Sequence, residues 1–290
     1  MTDHKERGAV LVTGASTGIG EVTALYLDRL GFKVFATVRK ERDGDMLSSK
    51  GSERLTPILL DVTDKDTISL ARKQVTRAVG DSGLLGLINN AGVGFTSPLE
   101  FVPLEELRQL FEVNVFGLLA VTQSFLPLLR QAQGRIVNIS SAASIFVAPF
   151  HGPYAASKWS VNALSKALRL ELRPLHVQVS LIVCGSIRTP MWEKATSLSK
   201  RITQRYPTDA WTLYGSRYKK LRDYFSKMGH TGVAPEVVSR SIAHALTAKR
   251  VKNTYFVGSD ARLFTIADKL LFGAMREWVI LRSIGLHDRI

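Results

Sequence analysis

Short β-branched runs alternate with longer amphipathic stretches along the chain. The short runs, Ala9 to Thr13, Lys33 to Val38, Thr56 to Leu60, Leu84 to Asn89, Arg135 to Ser140, Val177 to Val183 and Thr254 to Val257, read as strands. Between them, residues 18–30, 64–79, 104–130, 154–173 and 235–248 carry helical patterning, each long enough to cross between parallel strands. This rhythm predicts the α/β class: one doubly wound domain over residues 1–290, with a mostly parallel seven-stranded sheet and helices on both faces. No internal repeat or low-complexity linker divides it.

One segment breaks the rhythm. From about 186 to 232 no strand is predicted, and the gap between the sixth and seventh strands is too long for a plain crossover. Between Lys194 and Lys227 it holds nine Lys or Arg against two Asp, with Trp192, Tyr206, Trp211, Tyr214, Tyr218, Tyr224 and Phe225 interleaved. Long excursions in compact domains are often functional, so a helical substrate lid is one reading and a solvated helical hairpin the other. A C-terminal helical extension, about 261–290, is amphipathic and basic from Arg262 to Leu286. It suits a helix packed on the domain or on a second subunit, or a peripheral membrane contact.

Composition narrows the class. At 290 residues, 45% hydrophobic and 22% charged, the chain has the make-up of a globular protein with a sizeable core. No run approaches the ~18 continuous apolar residues of a spanning helix. The single cysteine, Cys184, cannot form an intrachain disulfide, and the opening MTDHKERG lacks the apolar run of a secretion signal, so a reducing, cytoplasmic setting is expected. The net charge of +14 favours anionic partners without choosing among them. His4, His151, His176, His230, His244 and His287 are scattered without ligand spacing, and no metal is predicted.

The first strand runs into TGASTGIG, residues 13–20, and then into a helical pattern. A strand that turns sharply into a helix presents backbone N–H groups and a positive dipole end, and glycines let a pyrophosphate approach closely. The spacing is GxxxGxG, and tight packing alone is the other explanation for its glycines. At the end of the second strand stand Val38, Arg39 and Lys40, where an acid would bind ribose hydroxyls and an arginine would pair with a 2′-phosphate. Arg39 therefore predicts NADP(H) over NAD(H).

In residues 135–172, Ser141 follows a strand and Tyr154 and Lys158 open a helix. Four residues apart, the phenol and the ammonium share a helix face, and a nearby cation is expected to lower the phenol pKa from about 10. Ser141 can hold a substrate oxygen within reach of the tyrosine proton. Each also has a structural explanation: Asn114 as a buried asparagine bonded to backbone in an irregular helix, Ser141 as a turn cap, and Tyr154 and Lys158 as a surface pair.

Together these residues resemble the short-chain dehydrogenase/reductase family, over residues 9 to about 260. TGASTGIG resembles its TGxxxGxG, Asn89 to Gly92 its NNAG, and Tyr154 with Lys158 its YxxxK, with Ser141 upstream at the family's usual spacing and Asn114 in the matching helix. The resemblance implies a Rossmann-type domain, Tyr154 as proton donor or acceptor, Lys158 on the nicotinamide ribose, Ser141 on the carbonyl or alcohol, and Asn114 anchoring a relay water. It also implies that Gly14, Ser16, Gly18, Ile19 and Gly20 cradle the cofactor, that Asp61 and Val62 border adenine, and that Asn89, Asn90, Ala91 and Gly92 support the strand beside it. Ile187 and Thr189 would contact the carboxamide. Cys184 departs from the proline usual before Gly185, which alters that loop but removes no catalytic atom.

The expected function is NADP(H)-dependent interconversion of a ketone or aldehyde with an alcohol. Ile145, Phe146, Val147, Phe150 and Trp159 add apolar surface near the catalytic helix, and TVRK with GPYAASK resembles the hydroxysteroid and retinol dehydrogenase branch. A hydrophobic substrate, steroid, retinoid or lipid-like, follows as an expectation, as does a homodimer or homotetramer through the helices near 104–130 and 154–173. A nonenzymatic dinucleotide sensor is the rival reading, disfavoured by an intact Tyr154 and Lys158. Nucleic acid is not an expected partner, because the basic residues cluster in the lid and no reading motif is present.

Overall fold

The structure is a computed structural model describing residues 7–286. His4, His287 and the ends of both terminal segments lie outside the described residues. In chain order the elements are β1 (Ala9–Val12), α1 (Gly18–Arg29), β2 (Lys33–Val38), α2 (Glu41–Ser48), β3 (Leu55–Leu59), α3 (Lys65–Val79), β4 (Gly86–Asn89), α4 (Leu104–Phe111), α5 (Leu118–Gln131) and β5 (Arg135–Ser141). They continue with α6 (Gly152–Leu172), β6 (Gln178–Cys184), α7 (Met191–Thr203), α8 (Thr208–Thr231), α9 (Pro235–Thr247), β7 (Thr254–Val257), α10 (Ser259–Leu270) and α11 (Ala274–Ser283). The seven strands form one sheet in the order β3-β2-β1-β4-β5-β6-β7, and every pairing is parallel.

Buried on both faces, the strands read as near-continuous apolar runs, and alternate residues divide between two cores. Val10 and Val12 of β1 pack toward Ala24 and Leu27 of α1 and Val238 and Ile242 of α9. Leu11 turns the other way, toward Val75 of α3 and Val121 and Phe125 of α5. Truncating a fully buried side chain such as Leu11 to Ala costs about 2–5 kcal/mol. The strand order reverses between β1 and β4, which opens a crevice at their carboxyl ends, where doubly wound sheets take ligands.

Three features add detail to the patterning. The helix expected over 104–130 is interrupted by a π-helical turn at Glu112–Gly117, which carries Asn114. The stretch Leu104–Gln131 is, among the described residues, the one helix whose length and mean hydropathy (1.4) would allow a membrane crossing, although it holds no continuous apolar run of spanning length; half of that apolar window is buried in the protein. The segment expected to lack strands is two helices, α7 and α8, whose base is closed by a single bridge between Ile187 and Val233.

Candidate active site

The glycine turn is interlocked with the end of β4. Thr13 Oγ1 accepts from the backbone N–H groups of Asn90 (2.9 Å) and Ala91 (3.0 Å), and Asn90 Nδ2 donates back to the carbonyls of Thr13 and Gly14. Gly14 has φ +65°, and a Cβ there would sit 2.9 Å from Ala91 Cα. At Gly20 a Cβ would overlap the Gly14 carbonyl oxygen, so this glycine serves close packing of helix on turn and lies behind the groove it helps to shape. The buried Asn89 extends the interlock, donating to Thr122 and to Asn138 of β5.

Above this turn runs a groove lined by Gly14, Ser16, Gly18, Ile19, Arg39, Asp61, Val62, Asn90, Ala91, Gly92 and Thr189. Ile187, also expected at the cofactor, lines instead the adjoining cleft. The cradle fits a dinucleotide: at Gly18 a Cβ would sit 3.3 Å from Thr189, which also lines the groove, and its walls run from a strand end to a positive helix start. Arg39 is 71% exposed on its side chain and only 4.0 Å from Asp61, a weak pair that leaves the guanidinium able to meet a phosphate.

The groove continues into a second cleft that brings together Ser141, Tyr154 and Lys158 with Ile139, Cys184, His151, Trp192 and Phe225. Ser141 hydrogen-bonds the Tyr154 phenol. Lys158 Nζ donates to the Ile139 carbonyl at 3.0 Å and lies 5.8 Å from the centre of the Tyr154 ring. Asn114 is fully engaged with protein: Oδ1 accepts from Val93 N (2.8 Å), and Nδ2 donates to Val93 O (2.9 Å) and Ser157 Oγ (3.0 Å). A buried asparagine bonded to backbone at an irregular helix is what its position holds, and it ties the π-turn to the loop after β4 and to α6.

The electrostatics correct one expectation. Burial pushes the Tyr154 hydroxyl above its ordinary value; the Ser141 hydrogen bond opposes this without reversing it, and Cys184 adds to the rise. Burial also pulls Lys158 down to about 8, with Cys184 acting weakly the other way. The ammonium, desolvated and aimed at the Ile139 carbonyl, does not lower the tyrosine as helical spacing predicted. Tyr154 is therefore a neutral phenol at neutral pH. Burial pushes Cys184 up to about 12, so this thiol is a packed group beside the lysine and no nucleophile.

Several contributors carried no motif. His151 stacks on Tyr154 (5.0 Å, 21°) and contacts Phe225, and burial lowers it to about 4, so it is a neutral wall of the cleft. Its place three residues before Tyr154 on a helical start was the available signal. Ser144 donates to the Ser141 carbonyl (2.6 Å), and Asn162 bonds both Ser144 and Ser140, which fixes the loop that presents Ser141. Gly185 is held against Asp260, whose carboxylate accepts from Ser186 N at 2.6 Å; this contact shapes the loop after β6, where the usual proline is Cys184.

The helices α7 and α8 close over the cleft. Tyr218 donates to the Thr96 carbonyl (3.0 Å) and meets Thr96 Oγ1, Ser199 Oγ accepts from Thr96 N (2.9 Å), and Arg205 pairs with Glu106. Phe150 packs edge-on against Tyr214 and Tyr218. Among the described residues no group of three His, Cys, Asp or Glu side chains is arranged to hold a metal ion.

A parallel sheet with a glycine-lined crevice beside a serine, tyrosine and lysine defines a class of nicotinamide-dependent oxidoreductases. The short chain dehydrogenase model matches residues 8–199. Bovine (Bos taurus) 17-beta-hydroxysteroid dehydrogenase type 6 is 34% identical over 288 residues, covering 98% of this chain and 90% of that protein. The NADPH-dependent 3-dehydrocapnine reductase of Ornithobacterium rhinotracheale is 34% identical over 279 residues, 94% and 96% of the two chains. A solved short-chain dehydrogenase from Streptomyces avermitilis superimposes with a TM-score of 0.74 at 25% identity over 98% of each chain. The chain belongs to the short-chain dehydrogenase/reductase family, in its hydroxysteroid and retinol dehydrogenase-like branch. It is an NAD(P)-dependent oxidoreductase acting on CH–OH groups.

Proposed function

We propose that the protein interconverts a ketone or aldehyde with an alcohol on a hydrophobic substrate, steroid, retinoid or lipid-like, using NADP(H), with Tyr154 as the acid and base. One observation carries the reading: the Ser141–Tyr154 pair stands where an apolar cleft meets the glycine-lined groove. When bound, the dinucleotide supplies or accepts the hydride. Ser141 holds the substrate oxygen, and the neutral Tyr154 hydroxyl delivers its proton to the oxygen as negative charge develops there. Lys158, next to the phenol, holds the ribose hydroxyls. Asn114 anchors a water of the proton relay, and it holds Val93, which lines the groove, and Ser157 of the catalytic helix.

The hydrophobic substrate is supported by the cleft walls, Phe95, Ile139, Ile187, Met191, Trp192 and Phe225, and by the 17-beta-hydroxysteroid dehydrogenase relative. The NADP(H) preference is supported by Arg39 at the end of β2 and by the NADPH-dependent relative. The same reading takes residues 1–290 as one domain with a lid over 186–232. It takes the assembly as a homodimer or homotetramer through exposed faces carrying Phe116, Trp159 and Leu170. The proposed location is cytoplasmic, with peripheral membrane contact through the exposed Leu263, Ile266 and Trp278 of the C-terminal helices and Phe272 between them.

The test is NADPH consumption across a panel of steroids, retinaldehyde, fatty aldehydes and quinones. A substrate is expected whose turnover falls by at least about a thousandfold in Tyr154→Phe, on the scale of an essential proton donor, while NADPH binding stays within about twofold. Ordinary turnover by that variant would remove Tyr154 from the chemistry.

A further inference from the structure

The helix α7 has two working faces. Lys194, Leu198 and Arg201, at helical spacing, line the dinucleotide groove, whereas Trp192, Thr196 and Ser199 line the substrate cleft, and Met191 and Ala195 on the ridge between them line both. The helix is thus a partition, and whatever moves it changes both clefts together.

The groove is short of positive charge where phosphates belong. The turn TGASTGIG contains no charged side chain, and Glu21 just beyond it is paired with Lys50 at 2.7 Å. Arg39 stands at the far, strand-end side, beside Asp61. The cation nearest the turn comes from across the groove: Lys194 Nζ donates to Thr17 Oγ1 at 2.9 Å. Thr17 is the N-cap residue of α1, which starts at Gly18; both residues line the groove, and a helix start offers free backbone N–H groups to an anion. An exposed ammonium bonded to a neutral hydroxyl gives up little when an anion replaces that hydroxyl, since a charge-assisted bond is about twice as strong as a neutral one.

We propose that Lys194 is a lid-borne phosphate ligand: it exchanges Thr17 for the pyrophosphate of the bound dinucleotide and so fastens α7 over the cofactor. This deepens the reading of the groove as a nicotinamide-dinucleotide site and rests on it. Because the pyrophosphate is common to both dinucleotides, Lys194 acts alike on NADPH and NADH, whereas Arg39 acts on the 2′-phosphate alone. Because the other face of α7 holds Thr96 through Ser199, the same fastening also bears on the substrate cleft.

The experiment is a fluorescence titration of the full chain with NADPH and with NADH, in parallel with limited trypsin digestion, which reads the exposed lid cations. Lys194→Met is expected to weaken both cofactors by the same factor, about tenfold, and Lys194→Arg to stay within about threefold of the parent. Saturating NADPH is expected to shield the lid from trypsin in the parent and to shield it less in Lys194→Met at equal occupancy. Dissociation constants within about twofold of the parent in Lys194→Met, equal losses in Met and Arg variants, or unchanged shielding would each overturn the proposal. Arg39→Ala separates the two readings: it is expected to weaken NADPH alone, and if it does not, the NADP preference fails while the result at Lys194 stands.

Discussion

The half of the crevice built on β1, β2 and β4 and the half built by α7 and α8 face each other, yet they are held by different kinds of contact. On the sheet side, contacts close directly on backbone: Gly14 against Ala91, Gly20 against Gly14, and Thr13 and Gly14 joined to Asn90 and Ala91 by four hydrogen bonds, each with a backbone group at one end. On the lid side, side-chain tips meet a loop: Tyr218 and Ser199 on Thr96, Tyr214 on Glu100, Arg205 on Glu106, and rings tilted or edge-on around Phe101 and Phe150. Backbone interlocks tolerate no added atom. Tip contacts can be exchanged for others of similar strength. The cofactor side is therefore built to stay one shape, and the lid side to be respecified for a substrate.

The sharpest way to break that contrast is to add one methyl group to the interlock. In Gly20→Ala the new Cβ would overlap the Gly14 carbonyl oxygen and crowd Asn90 Nδ2, so α1 must move off the turn. Overpacking of this kind costs about 1–3 kcal/mol or more, and here the neighbours are backbone. The variant is expected to lose measurable NADPH binding and to melt several degrees lower. Thermal melts and cofactor titration check it, and parental values in both would mean that the interlock is looser than its contacts state.

The same contrast explains what could be read from the residues alone. Glycines, Asn89, Asn90, Ser141, Tyr154 and Lys158 stand where geometry or chemistry leaves almost no other choice, so their spacing is informative, and the parallel strands follow from apolar runs that only burial on both faces explains. Tyr218, Ser199 and Thr96 are ordinary residues made important by a meeting across more than a hundred positions, and local spacing carries no trace of that. His151 and Asn162 share a helical neighbourhood with Tyr154 but no distinctive chemistry. The direction of the Tyr154 shift was illegible for another reason: burial, which outweighs the Ser141 hydrogen bond, is a property of the folded cleft.

An intermediate effect lies at the wall between the halves. The unfolded chain takes a proton on an imidazole near pH 6.5. Burial against Tyr154 and Phe225 holds His151 down to about 4 in the folded chain. Between those values unfolding takes up a proton, so stability present above pH 6.5 is lost as pH falls toward 4. The melting temperature is expected to drop over this window more steeply in the parent than in His151→Gln, which has no such proton to gain. Parallel pH profiles for the two would show that this imidazole is not held neutral by the cleft.

The smallest change tests the lid side. Tyr218→Phe keeps the ring and its edge-on contact with Phe150 but removes the hydroxyl that meets both Thr96 O and Thr96 Oγ1. A net hydrogen bond contributes about 1 kcal/mol, and at this chain length the melting temperature is expected to fall by only about 2 °C. What should move more is the Michaelis constant for substrate: Thr96 and Ser199 line the cleft, and Tyr218 holds Thr96 in place from above. A rise of about threefold to tenfold in KM, with a smaller change in kcat, fits lost positioning of bound substrate, because 1 kcal/mol corresponds to about fivefold in binding. An equal fall in kcat with KM unmoved would instead place the Tyr218 contact in the chemical step, and the division between a fixed cofactor side and an adjustable lid would have to be redrawn through Thr96.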